Sequence, residues 1–158
     1  MAQILVVCTG NICRSPVGAA LLKECLDQKG LTDWSVTSAG TWAQVERGPS
    51  QFSMEIMAEQ GLDIQDHLAE MIELSHMQEA DPVLCMESGH VEALKAEFPD
   101  ERDKVFLISE MADRRYSISD PYGKNKDSYY RMVQDLSGII EDGIDTIIQK
   151  AGSQTAAR

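Results

Sequence analysis

A chain of 158 residues, 43% hydrophobic, is long enough for one domain with a substantial core, expected over residues 1–150. Its formal net charge of −12 argues against general nucleic-acid binding, which needs a basic footprint, and confines any affinity for phosphate to local contacts. No apolar run approaches the ~20 residues of a membrane span, and the four scattered cysteines (Cys8, Cys13, Cys25, Cys85) make no disulfide scaffold, so a cytoplasmic protein without a signal peptide is expected.

The first predicted element is a buried strand over 3–8, in which Ile4-Leu5-Val6-Val7 delivers Cys8. After five intervening residues comes Arg14, then Ser15-Pro16, with Ser15 suited to cap a helix and Pro16 to its first position. Val17, Ala20, Leu21, Cys25 and Leu26 recur at helical spacing, and Gly30 ends that helix. The order strand, loop, helix places Cys8 where backbone N–H groups and the helix dipole favour an anion, and the same field favours thiolate over thiol. Arg14 adds a planar fork that holds two phosphate oxygens.

A second strand is expected over Trp34–Ser38, closed by Ala39-Gly40, with a loop through Arg47-Gly48-Pro49. A helix over 50–60 stops at Gly61, and His67 to Ile72 forms a short helix or turn. Pro82–Met86 is a third buried strand, followed by a helix over 88–97, and Val105–Ile108 is a fourth. Residues 109–126 read as loop. The last helix starts near Asp127, and its stripe of Met132, Val133, Leu136, Ile139, Ile140, Ile144, Ile147 and Ile148 is core. The small, polar tail over 151–158 is expected to fray. His67, His76 and His90 lack metal-ligand spacing and read as surface or turn residues, while Cys25 and Cys85 sit in apolar patterns.

Buried strands alternating with helices predict an α/β three-layer sandwich, a four-stranded parallel sheet flanked by helices, with a phosphate-binding loop after the first strand. Ligands of such sheets bind beyond the carboxyl ends of the strands, where Cys8 and the loop after the fourth strand both fall. Cleaving a phosphate ester through cysteine needs a thiolate aligned with phosphorus, donors for the equatorial oxygens and an acid for the leaving oxygen. The opening loop supplies the first two. Asp120, stiffened by Pro121, is the candidate acid, although Asp-Pro also marks a plain turn.

With these residues in place the chain resembles the low-molecular-weight protein tyrosine phosphatases of the bacterial type. The resemblance lies in Cys8-Thr9-Gly10-Asn11-Ile12-Cys13-Arg14-Ser15-Pro16 near the N-terminus and the distant Asp120-Pro121. Ser38-Ala39-Gly40-Thr41, Asp81-Pro82-Val83-Leu84-Cys85-Met86-Glu87 and Leu107-Ile108-Ser109-Glu110 also resemble family segments in the right order, so that roughly residues 3–150 are covered.

The resemblance implies that Cys8 attacks phosphorus to form a phosphocysteine and that Arg14 binds the phosphoryl oxygens. Thr9 to Ser15 would form the phosphate loop, with Asp120 protonating the leaving group and then activating water. Asn11 would hold the loop in its strained shape, a role suited to asparagine's tolerance of left-handed backbone, Ser15 would stabilise the thiolate and Ser38 would brace Asn11. It also implies a reversible pairing of Cys13 with Cys8 under oxidation; a passive loop thiol is the other reading of Cys13.

No cofactor and no metal is implied. Phosphotyrosine proteins would be substrates, among them a bacterial tyrosine kinase by analogy, and inorganic phosphate the product. Ile12 and Tyr122 would wall the phosphotyrosine site. Gln44 stands at the opposite wall where many relatives carry an aromatic residue or Leu, with Trp42 close enough to substitute, and Glu70 stands where relatives often carry Arg. Tyr129 and Tyr130 read as helix packing. Protein arginine phosphatases resemble this signature but carry Thr in place of Ile12, and thioredoxin-coupled arsenate reductases need a further cysteine where Glu92 stands. A silent phosphate-binding module would have no use for both Cys8 and Asp120.

Overall fold

The computed structural model describes residues 1–157, with side chains as far as Ser153. Four strands, β1 (Gln3–Cys8), β2 (Ser35–Gly40), β3 (Val83–Cys85) and β4 (Val105–Leu107), form one parallel sheet in the order β2-β1-β3-β4. β1 is central, and its continuous apolar run follows from burial on both faces. Ile4, Val6 and Cys8 point into one core with α1 (Arg14–Gln28), α2 (Gln51–Glu59) and α5 (Lys126–Ala157). Leu5 and Val7 point into a second core containing residues of α3 (Leu74–Glu79) and α4 (Ser88–Glu97). The period of two along a strand thus splits one apolar run between two layers, giving the expected three-layer sandwich.

Several boundaries differ from the sequence expectation for physical reasons. Ser15 does not cap α1: the helix begins at Arg14 with Cys13 at the capping position, and the Ser15 hydroxyl turns into the preceding loop. β2 extends to Gly40 because it stays paired with β1 as far as Cys8. The stretch from His67 to Ile72 is neither a helix nor wholly a turn. It runs alongside the end of β2, where Met71 bridges to Gly40 and the Ile72 amide donates to the Gly40 carbonyl, and the helix falls later, as α3. The segment 109–126 opens with a 3-10 turn over Ile108–Ala112.

Of the tail expected to fray over 151–158, residue 158 lies outside the described residues and the backbone of 151–157 is helical. α5 continues to Ala157, and Ala151 is fully buried against the α1 side of the core. Among the described residues no helix is long and apolar enough to cross a membrane.

Candidate active site

The carboxyl end of β1 delivers Cys8 into a loop that closes at Arg14, the first residue of α1. Backbone amides from outside the loop anchor four of its carbonyls. Thr41 N donates to Cys8 O at 3.0 Å, Trp42 N to Thr9 O at 2.9 Å, Gln44 N to Gly10 O at 3.0 Å and Ser50 N to Ile12 O at 2.8 Å. The segment after β2 therefore wraps the loop from behind. Gly40 is required there, since a Cβ at that position would lie 2.4 Å from the Thr9 carbonyl oxygen.

Asn11 is the keystone. It is fully buried with φ of 59°, a left-handed conformation that asparagine tolerates. Its amide nitrogen donates to Ser15 Oγ at 2.7 Å and to Ser38 Oγ at 3.0 Å, while its Oδ1 accepts from the Glu70 amide at 2.9 Å. The Asn11 carbonyl accepts from His67 Nε2 at 2.7 Å. Because Ser15 Oγ already accepts from Asn11, its own proton is left for Cys8 Sγ, 2.9 Å away. The sequence expectations for Asn11, Ser15 and Ser38 meet in this one chain of hydrogen bonds.

Arg14 is 1% exposed, and a buried guanidinium needs partners. Its Nη1 lies 2.7 Å from Glu87 Oε2 and donates to the Ile118 carbonyl at 2.7 Å. Its Nη2 donates to Thr9 Oγ1 at 3.3 Å and lies 3.6 Å from Asp120 Oδ2. Its Nε is buried with no hydrogen-bond partner among the described residues, leaving a donor for an anion. Asp120 is held in its loop by the Tyr122 amide, which donates to Oδ1 at 3.1 Å.

These groups share a cleft of about 340 Å³ lined by Cys8 to Gly10, Ile12 to Arg14, Trp42, Gln44, Asp120 and Tyr122. Trp42 is 79% exposed and Tyr122 54%, so both stand at the rim, whereas Ile12 is buried in the wall. Gln44 accepts from Arg47 Nη1. The loop after the first strand, the thiol, the guanidinium and the carboxylate expected from the sequence therefore converge in one cavity. Asn11, Ser15 and Ser38 lie behind it.

Cys13 differs from Cys8 in its surroundings. Its Sγ sits 3.5 Å from Tyr129 Oη, and burial pushes the thiol above its ordinary range despite hydrogen bonds from Ser50 and Tyr129 that oppose the shift. Burial pushes the Tyr129 hydroxyl up as well, so this pair is neutral. Neither Cys8 nor Cys13 is in a disulfide.

Sequence reasoning missed three side chains. His67 and His90, expected at the surface or in turns, are half-buried and buried, and each bonds to the loop between β1 and α1. Glu87 was passed over as the counter-charge of Arg14. A signal existed for two of them: Glu87 and His90 follow β3 at the carboxyl edge of the sheet with the i, i+3 spacing of a capping box, and that box is formed.

Residues 3–153 match the family model for low molecular weight phosphotyrosine protein phosphatase, and the chain belongs to that family. Among relatives, it is 36% identical over 127 residues to the low molecular weight protein-tyrosine-phosphatase Wzb of Escherichia coli K12, covering 80% of this chain and 82% of that one. Its fold is similar to that of a low molecular weight protein tyrosine phosphatase from T. tengcongensis, with TM-score 0.87, 33% identity and coverage of 92% and 99% of the two chains. It is similar also to the YwlE arginine phosphatase from Geobacillus stearothermophilus, with TM-score 0.85, 30% identity and coverage of 95% of each chain.

Proposed function

We propose that this protein hydrolyses phosphotyrosine in proteins by two successive phosphoryl transfers through Cys8. The Cys8 thiolate, stabilised by the Ser15 hydroxyl, attacks phosphorus opposite the tyrosine oxygen. The loop amides and Arg14 receive the equatorial oxygens. The P–O bond breaks as Asp120 gives its proton to the departing phenolate, leaving a phosphocysteine. Asp120, now a carboxylate, takes a proton from water, the water oxygen attacks phosphorus, the P–S bond breaks, and inorganic phosphate leaves with Cys8 again a thiolate.

The observation that carries this reading is the convergence of Cys8, Arg14 and Asp120 on one cleft, with Ser15 Oγ 2.9 Å from the nucleophile. Tyrosine is favoured over arginine by Ile12, whose buried side chain narrows the wall where the arginine phosphatases carry Thr. The rim aromatics Trp42 and Tyr122 suit the flat face of a phosphotyrosine ring, while Gln44 leaves one side of the mouth polar. The substrates include a tyrosine kinase of the same cell, and the enzyme works in the cytoplasm, where Cys8 stays reduced.

The test is hydrolysis of p-nitrophenyl phosphate in the presence of a chelator, followed by a peptide panel carrying phosphotyrosine or phosphoarginine. Turnover that resists chelation, is blocked by vanadate and favours phosphotyrosine is expected. A panel turned over mainly at phosphoarginine contradicts the tyrosine assignment.

A further inference from the structure

His90 Nδ1 accepts from the Glu87 backbone amide at 3.1 Å, closing the capping box of α4. A ring nitrogen that accepts from N–H carries no proton, so the imidazole proton is on Nε2. That nitrogen lies 2.9 Å from Thr9 Oγ1 and donates to it. Burial, and the positive charge of Arg14, hold His90 below its ordinary protonation range against the opposing pull of Glu87 and Asp120. The same Thr9 oxygen accepts from Arg14 Nη2 at 3.3 Å. Both of its lone pairs are therefore taken, one by His90 and one by Arg14. Its own hydrogen has no acceptor among the described residues, in a side chain that lines the cleft.

We propose that His90 is a positioning residue for Arg14, acting through the Thr9 hydroxyl. With His90 fixed as a donor, Thr9 Oγ1 is held in one orientation as the acceptor for Arg14 Nη2 and presents its O–H to a phosphoryl oxygen. Glu87 pins the other arm of the same guanidinium, so the first turn of α4 sets both of its terminal nitrogens. This rests on the proposed phosphocysteine chemistry for its effect on turnover, but not for its effect on phosphate binding.

The experiment compares Thr9→Val, Thr9→Ser, His90→Asn, His90→Gln and the double variant Thr9→Val/His90→Asn. Readouts are kcat and KM on p-nitrophenyl phosphate, inorganic phosphate affinity by calorimetry, and thermal melting. Asn places a polar atom where Nδ1 was and can keep the α4 cap. Gln reaches where Nε2 was and can keep the bond to Thr9. Thr9→Val leaves the α4 cap untouched. Thr9→Val and His90→Asn should each lose about 10- to 100-fold in kcat, the worth of one hydrogen bond to a charged group, with KM and melting little changed. Thr9→Ser and His90→Gln should stay within about threefold of the parent on the same scale.

The double variant should be no worse than the poorer single one, because both break one chain of hydrogen bonds. Parental kcat and parental phosphate affinity in Thr9→Val overturn the proposal, as do losses that multiply in the double variant. If the parent proves inactive on every phosphoester, phosphate affinity still decides: weakened binding in Thr9→Val and His90→Asn with rescue by Ser and Gln supports the proposal, and unchanged binding overturns it.

Discussion

The base of the cleft and its rim are built on opposite principles. In the base, Asn11, Arg14 and Ser15 are buried, and nearly every polar atom they carry has an assigned partner. At the rim, Trp42 and Tyr122 are exposed, and what holds them is backbone: the Trp42 amide on the Thr9 carbonyl, and the Tyr122 amide on the Asp120 carboxylate. Chemistry that needs atoms placed to a fraction of an ångström is assigned to the interlocked part. Recognition of a variable partner would fall to the exposed rim side chains, whose replacement leaves the interlocked part intact. Substitutions in the base should therefore change kcat, and substitutions at the rim should change KM for large substrates.

The largest effect is expected in the base. Cys8→Ser should cost at least about 10⁴ in kcat on p-nitrophenyl phosphate while leaving phosphate binding and melting close to parental. Asp120→Ala sharpens the comparison because Asp120, the proposed acid, would act with the base while standing at the edge of the cleft. Its kcat on phosphotyrosine peptides should fall about 10²–10⁴-fold, and much less on p-nitrophenyl phosphate, whose leaving group needs little protonation. Equal losses on both substrates would remove Asp120 from the acid role.

Gly40→Ala tests whether the base depends on the strand behind it. Its Cβ would meet the Thr9 carbonyl oxygen at 2.4 Å, which backbone must yield to relieve. An overpacking cost of about 3 kcal/mol is expected, lowering Tm by roughly 6–12 °C for a chain of this size, with a loss of kcat in the folded fraction. Parental melting and turnover would show the loop to be softer than its hydrogen bonds suggest.

Ile12→Thr lies between base and rim, and should raise the ratio of phosphoarginine to phosphotyrosine hydrolysis in the peptide panel. An unchanged ratio discounts Ile12 as the selector. The smallest effect is expected from Trp42→Ala: a rise of about 3- to 10-fold in KM for phosphotyrosine peptides, from loss of roughly 1 kcal/mol of apolar contact, with kcat on p-nitrophenyl phosphate unchanged. A fall in that kcat would mean that rim and base are coupled.

The same contrast governs what was legible in the sequence. The base is written as contiguous residues, Cys8 to Ser15, because one strand end and one helix start build it, and local spacing is what a sequence displays. Asp120 was reachable because its backbone is constrained by Pro121. What escaped was long-range: the partner of Thr9 is 81 residues away and the carbonyl that Arg14 grips is 104 away. His90 looks like an ordinary helix residue until β3 is seen to end beside β1. The extended run from His67 to Ile72 escaped because its shape comes from pairing with Gly40 and not from local propensity. The helical tail past Ala151 escaped because small, polar residues carry a weak helical signal while the long α5 carries them along.

The central claim is that phosphate passes through Cys8. It is tested most directly by rapid quenching of the Asp120→Ala variant during turnover of p-nitrophenyl phosphate, whose p-nitrophenolate leaves readily and whose phosphoryl-enzyme this variant is expected to hydrolyse slowly, followed by mass spectrometry of the peptide containing Cys8 and Cys13. A phosphoryl group on the Cys8 sulfur, absent from the same variant carrying Cys8→Ser, is the predicted result. Turnover with no covalent phosphoryl enzyme, or with the group on Cys13, would contradict it.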